Sequence, residues 1–249
     1  MDTASDPSPR QVALLMTRPK AAAARFVAEL PAPLRAELAL INAPLMQVQW
    51  LEGEVSCADY GGVIFTSANG VAAVTAAGEI PAYCVGQRTT QAAQAAGWQA
   101  QCCGTNGAEL VAQLIKMRPA SPLLHLHGRH TRGDIAARLS AAGLPCRGQV
   151  VYEQQLLPLG DAARQQIGAQ SDVIVPLFSP RTARHFASLG LDAANLSLIA
   201  ISQAVAAELQ GLKYKGLQVS KKPDAASMAD MVRDAAVRLT RLEGGDSAQ

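Results

Sequence analysis

The chain has 249 residues, 49% of them apolar and 17% charged, with a formal net charge of +2. These proportions describe a well-cored protein of one large or two modest domains and exclude a disordered chain. The near-neutral charge and the lack of a Lys/Arg run speak against a nucleic-acid footprint.

Residues 1–10 carry neither a basic nor an apolar leader segment, and no apolar run reaches the ~20 residues of a membrane span, so the expected location is cytoplasmic. Five cysteines, Cys57, Cys84, Cys102, Cys103 and Cys146, contain no C-x-x-C pair. They read as reduced, partly buried thiols.

Residues 11–16 are a short apolar run and predict a buried strand, closed by Thr17-Arg18-Pro19. A helix follows over 21–30, ended by Pro31 and Pro33. Residues 41–50 alternate and carry Pro44, the pattern of an edge or connector strand. From Gly61 a βα rhythm sets in. Strands are expected at 62–65 and 82–85, each leading through a small polar turn (Thr66-Ser67-Ala68-Asn69-Gly70; Gly86-Gln87-Arg88-Thr89) into a helix.

Asn106-x-x-Glu109 resembles a capping box ahead of Leu110, Val111, Leu114 and Ile115. Residues 123–127 predict a strand and 134–142 a helix closed by Gly143. Residues 149–157 alternate β-branched and polar side chains around Tyr152, which reads as a half-exposed connector strand pairing with 41–50. A second series repeats the first: strands at 172–177 and 198–201 with turns Phe178-Ser179-Pro180-Arg181-Thr182 and Ser202-Gln203, then a strand at 217–220. A last helix is expected to be capped by Ser227-x-x-Asp230, with a frayed tail after Leu242.

The two series echo each other. Val63-Ile64-Phe65-Thr66-Ser67-Ala68 answers 173–180, residues 83–87 answer 199–203, and 105–114 answer 224–233. The first series ends in an extra strand and helix (123–142). The second has none, but it can borrow 12–30 from the N-terminus. The expected architecture is therefore α/β, with two flavodoxin-like three-layer lobes of parallel sheets flanked by helices. One lobe is discontinuous, 1–39 with 159–249, and the other is 51–147; a two-stranded β connector, 40–50 and 148–158, joins them.

In open parallel sheets ligands bind beyond the carboxyl ends of the strands. The expected binding residues are therefore Thr17, Arg18, Ser67, Ala68, Asn69, Gly86, Thr89, Gly128, Arg132, Ser179, Ser202 and Gln203. Most are small or hydroxylated residues opening a helix, which is an anion site built of N–H groups and helix dipoles; the same residues are also simply good N-caps. No phosphate loop or G-x-G-x-x-G is present, so no nucleotide cofactor is expected. His125-x-His127-x-x-His130 lacks a completing ligand and reads as polar histidines near a cleft rather than a metal site. Tyr152 is either an amphipathic cover or a neutral proton donor.

Taken in order, Leu14-Leu15-Met16-Thr17-Arg18-Pro19, residues 63–71, Val85-Gly86-x-x-Thr89, Leu126-His127-Gly128 followed by Arg132, Val150-Val151-Tyr152-Glu153 and Phe178-Ser179-Pro180 resemble the uroporphyrinogen-III synthase family. The resemblance runs along nearly the whole chain. It implies a cofactor-independent, metal-free lyase of tetrapyrrole (haem) biosynthesis acting on hydroxymethylbilane, a linear tetrapyrrole with eight carboxylates. In such an enzyme loss of water leaves an azafulvenium electrophile, and ring D inverts as the macrocycle closes. The family's tyrosine corresponds to Tyr152, the candidate general acid, and its threonine after Val-Gly to Thr89. In the second half the family's Ile-Gly-x-x-Thr is replaced by Ile201-Ser202-Gln203-Ala204-Val205, where Ser202 or Gln203 stands in for the threonine. The implied partner is the small substrate, with hand-over from the synthase that makes it; neither nucleic acid nor membrane is involved, and a monomer suffices. A two-lobed receptor closing on a small anion is the competing, non-catalytic reading. A response-regulator scaffold is disfavoured, because the strand ends lack an acidic cluster.

Overall fold

The structure, a computed structural model, describes residues 11–74, 79–131 and 133–245. The apolar run near the N-terminus forms β1 (Ala13–Met16), buried throughout. It is followed by α1 (Lys20–Glu29) and α2 (Ala32–Glu37). The two prolines expected to end the helix do more than that. Leu30 is extended, Pro31 then caps α2 and Pro33 sits in its first turn, where a missing N–H costs nothing.

The segment expected as one strand over 41–50 is two. β2 (Ala39–Asn42) pairs parallel with β1, and β3 (Met46–Trp50) begins after Pro44. β2 is the edge of its sheet, where a residue with no N–H is tolerated, and Leu45 N–H still donates to the Thr17 carbonyl at 2.9 Å before β3 begins.

The βα series follows as β4 (Gly62–Phe65), α3 (Ala68–Ala72), β5 (Pro81–Cys84), α4 (Gln87–Ala95), β6 (Gln99–Cys102), α5 (Gly107–Met117), β7 (Leu123–Gly128) and α6 (Ile135–Ala141). Then come β8 (Cys146–Leu156), α7 (Asp161–Gly168), β9 (Val173–Leu177), α8 (Pro180–Ala187), β10 (Ala193–Ala200) and α9 (Gln203–Ala206). The chain ends in β11 (Tyr214–Val219) and α10 (Ala225–Gly245). The strand β6 and the helix α7 have no counterpart in the sequence expectation; both carry mostly exposed polar residues, so neither shows a clear apolar period. The last helix is capped by Asp224, whose carboxylate accepts from Ser227 N–H at 2.8 Å, so the cap lies three residues before the expected one. The helix also continues past Leu242, to Gly245; the rest of the expected tail, like residues 1–10, falls outside the described residues.

Packing divides the chain into two units. Unit 1 takes the chain up to Gln47 and again from Leu156 onward, and unit 2 is Val48–Gln155. Unit 1 holds a sheet of order β11-β10-β9-β1-β2, all parallel. Successive residues alternate between its two cores: Leu15, Val173, Val175 and Leu198 pack on one face. Leu14, Met16, Ile174 and Ile199 pack on the other, under Phe26 of α1 and Met228 and Val232 of α10. Such two-sided burial is why these strands read as continuous apolar runs.

In unit 2 the order is β3-β8-β7-β4-β5-β6. Val63, Phe65 and Leu126 pack with Trp98 on one face, while Ile64, Leu123 and Tyr83 meet Leu110, Leu114 and Leu139 on the other. Apart from the added edge strand β3, unit 2 repeats the order of unit 1 strand for strand: β6, β5, β4, β7 and β8 answer β11, β10, β9, β1 and β2. The chain enters the repeat at a different strand in each unit, which is what borrowing the N-terminal strand requires.

Candidate active site

An open parallel sheet has a switch point where connections leave in opposite directions, and the strand ends there frame a crevice. In unit 2 that point lies between β4 and β7. After β4, Ser67 caps α3, its hydroxyl accepting from Asn69 N–H at 3.2 Å. Ala68 and Asn69 form the first turn, and the Asn69 carbonyl accepts from the Trp50 indole N–H at 3.4 Å. Gly70 must be glycine, because a Cβ there would lie 2.8 Å from the Leu126 carbonyl oxygen. The turn is tied to β7 by a second contact, 3.3 Å between Thr66 Oγ1 and His125 Nε2. His125 is only 3% exposed. Burial, aided by the neighbouring His127, lowers its pKa to about 3, with Asp134 opposing; the ring is neutral.

At the end of β5, Gly86 has a positive φ of 76° and opens α4, with its N–H bonded to the Gly104 carbonyl. Thr89 is buried in the first turn of that helix. The adjacent Thr90 spends its hydroxyl on the Gly86 carbonyl at 3.1 Å.

Tyr152 stands where the β7–β8 register slips. His127 aligns with Val150 but Gly128 with Tyr152, so β8 carries one extra residue. Such bulges re-aim side chains, and here Val151 and Tyr152 are both buried in succession. The phenol ring packs directly over Gly128: a Cβ on Gly128 would lie 2.5 Å from Cε2, 2.7 Å from Cζ and 3.0 Å from Oη. The Arg129 N–H binds the Tyr152 carbonyl at 2.9 Å, and the Arg129 guanidinium pairs with Glu153 at 2.8 Å. Tyr152 and Gly128, expected separately, thus form one feature. Arg132 falls outside the described residues.

His125 and His127 share a face, with ring centroids 4.6 Å apart. His127 Nδ1 lies 2.9 Å from the Gly128 carbonyl, which can only accept, so Nδ1 carries the proton. Among the described residues no group of three His, Cys, Asp or Glu side chains converges to hold a metal. The five cysteines are free thiols; burial pushes Cys84 up to about 12 and Cys146 to about 11, which leaves them protonated and unreactive.

In unit 1 the switch point lies between β1 and β9. Thr17 is buried at the end of β1, and Arg18 follows with its guanidinium 4.2 Å from the centroid of the Phe178 ring. That ring also meets Phe26 edge-on. Ser179 caps α8, accepting from Thr182 N–H and donating to Thr182 Oγ1 at 2.9 Å. Ser202 precedes α9 without spending its hydroxyl on a cap bond, and Gln203 beside it is exposed. Thr66, Phe178 and Trp50 have no role in the sequence expectation. The signal available for the first two was their place between a buried strand and a helix cap; Trp50 carried none.

These turns carry hydroxyls at helix N-termini rather than lysines, the kind of group that receives anions. No curated protein sequence matches the chain. Among solved structures, the uroporphyrinogen-III synthetase of Helicobacter pylori 26695 is similar in fold, with a TM-score of 0.63 at 17% identity over 91% of this chain and 99% of that one. A mutant uroporphyrinogen III synthase from the extremely thermophilic bacterium Thermus thermophilus aligns over 91% of this chain and 99% of its own at 11% identity, with a TM-score of 0.48. A family model described as uroporphyrinogen-III synthase HemD matches residues 38–230, well over half of the sequence and the larger part of both units, and the chain therefore belongs to the uroporphyrinogen-III synthase family.

Proposed function

We propose that the protein is a cytoplasmic lyase that closes hydroxymethylbilane into uroporphyrinogen III with loss of one water, and that Tyr152 starts the reaction. The observation that carries the residue assignment is the phenol ring seated on Gly128, at the carboxyl end of β7 beside the switch point of unit 2. A phenol holds its proton near neutral pH and donates it as the hydroxyl departs. The C–O bond breaks, the pair leaves with oxygen as water, and the carbon on ring A becomes an azafulvenium cation. The substituted carbon of ring D attacks that cation to give a spiro intermediate. Fragmentation and recombination invert ring D, and the proton lost on rearomatisation restores the phenol.

The pyrroles supply most of the electron density, so the protein's chief task is to hold the bilane with the correct carbon in reach. Ser67, Ala68, Asn69, Gly86, Thr89 and Gly128 of unit 2 are proposed as carboxylate-binding positions, with Thr17, Arg18, Ser179, Ser202 and Gln203 in unit 1. Arg132 is kept in that set on the motif alone. The Ser202 hydroxyl, unspent on α9, takes the place of the threonine found in the family's second turn. Direct hand-over of the unstable bilane from the enzyme that makes it would limit spontaneous closure.

Freshly made hydroxymethylbilane incubated with the protein should yield the inverted isomer, resolved after oxidation to porphyrins. Accumulation of the uninverted isomer alone, at the spontaneous rate, would sink the proposal. Tyr152→Phe should slow turnover on the order of a hundredfold, the scale of a lost general acid, without abolishing it. Activity equal to a protein-free control would contradict the view that the tyrosine assists rather than carries the reaction.

A further inference from the structure

The large apolar side chains left exposed among the described residues are Leu40, Trp50, Met117, Val150 and Val237, and Trp50 is the aromatic one, 50% exposed. The other tryptophan, Trp98, is buried edge-on against Phe65 at 5.4 Å. An exposed indole forgoes a large burial gain, and β3, where it sits, is the edge of its sheet. Its position is nonetheless held, since the indole N–H donates to the Asn69 carbonyl in the same turn that Ser67 caps.

Register places it further. Leu51 N–H bonds to the Val151 carbonyl at 3.0 Å, and Leu157 N–H to the Leu45 carbonyl at 2.9 Å, so β3 and β8 run antiparallel. Counting along that ladder sets Trp50 opposite Tyr152, and opposed residues project to the same face. An exposed indole is thus anchored to a candidate carboxylate-binding turn on one side and set in register with the candidate acid on the other.

The geometry points to Trp50 as the group that stabilises the azafulvenium cation formed when Tyr152 assists loss of water. This inference rests on the reading of the reaction given above. Tyr152 hands its proton to the departing hydroxyl, the C–O bond breaks, and positive charge develops on the ring carbon and its conjugated nitrogen. Tryptophan is the aromatic side chain best suited to face such a cation. Because the charge is absent from the ground state, the contribution appears in turnover and not in substrate affinity.

The test uses the full-length protein and fresh hydroxymethylbilane. Trp50→Leu should lower kcat by roughly 3- to 30-fold with little change in KM, the span of a cation–π contact converted to rate. Trp50→Phe should recover part of the loss, and melting temperatures should stay close to wild type because the side chain is exposed. In a Trp98→Phe background, successively fluorinated tryptophans at position 50 should lower log kcat stepwise as the ring loses its negative face. A wild type that inverts ring D while Trp50→Leu matches it in kcat overturns the assignment alone. So does a Trp50→Leu defect confined to KM. A wild type that yields only the uninverted isomer overturns the parent reading and this inference together.

Discussion

Gly128 shows how a residue with no side chain can decide where a neighbouring ring lies. Its Cβ position is already filled by the Tyr152 ring, so Gly128→Ala must push the phenol aside or shift β7. Overpacking of this kind costs about 1–3 kcal/mol. We expect Gly128→Ala to lose that much stability by urea denaturation and to lose turnover on the order of ten- to hundredfold through the displaced phenol. A variant with full kcat would show that the ring's place on Gly128 is unimportant.

His125 makes a prediction about pH. Its folded pKa is about 3, against an ordinary value of 6.5. As pH falls below 6.5 the unfolded chain takes up a proton that the folded chain refuses, so stability declines as pH drops through the window down to about 3. The slope reaches at most about 1.4 kcal/mol per pH unit. His127 beside it and Asp134, which opposes the shift, modulate the window. Urea midpoints measured from neutral pH downward should fall less steeply in His125→Gln than in wild type; equal slopes would mean that His125 does not set the acid sensitivity.

At the scale of elements, strands with both faces buried were legible because a run such as Val63-Ile64-Phe65 is what a strand covered by helices on both sides of a parallel sheet requires. Elements on the surface were not. The strand β6 and the helix α7 expose most of their residues, and β2 and β3 ran together because both alternate across a single proline. Caps were partly legible. The Asn106 side chain accepts from Ala108 and Glu109 N–H, both at 3.0 Å, as the box predicts. Glu109, however, reaches the N–H and hydroxyl of Thr105, one residue before the N-cap. Asn106→Ala should therefore cost about 1 kcal/mol and lower the melting temperature by about 2–4 °C, readable by calorimetry, without changing isomer specificity. An unchanged melting temperature would mean that water replaces the cap.

At the scale of the molecule, the repeat is the organising fact. Unit 2 is continuous, Val48–Gln155, whereas unit 1 needs both ends of the chain, with β1 seated between β9 and β2. A fragment of residues 48–155 should therefore show cooperative thermal unfolding by circular dichroism, whereas residues 156–249 alone should not, for want of the strands β1 and β2. A non-cooperative 48–155 fragment would contradict the division.

The α/β class, the two repeats, the borrowed N-terminal strand and the turns that carry small polar residues follow from the residues alone, because burial imposes periodicity and helix starts demand caps. The bulge in β8, the phenol filling the space over Gly128, the Thr66–His125 contact and the place of Trp50 across from Tyr152 were not legible. They depend on which strands become neighbours and in which register, and a slip of one residue turns a side chain to the opposite face. Local pattern identifies a strand, but its partner strand decides what each side chain meets.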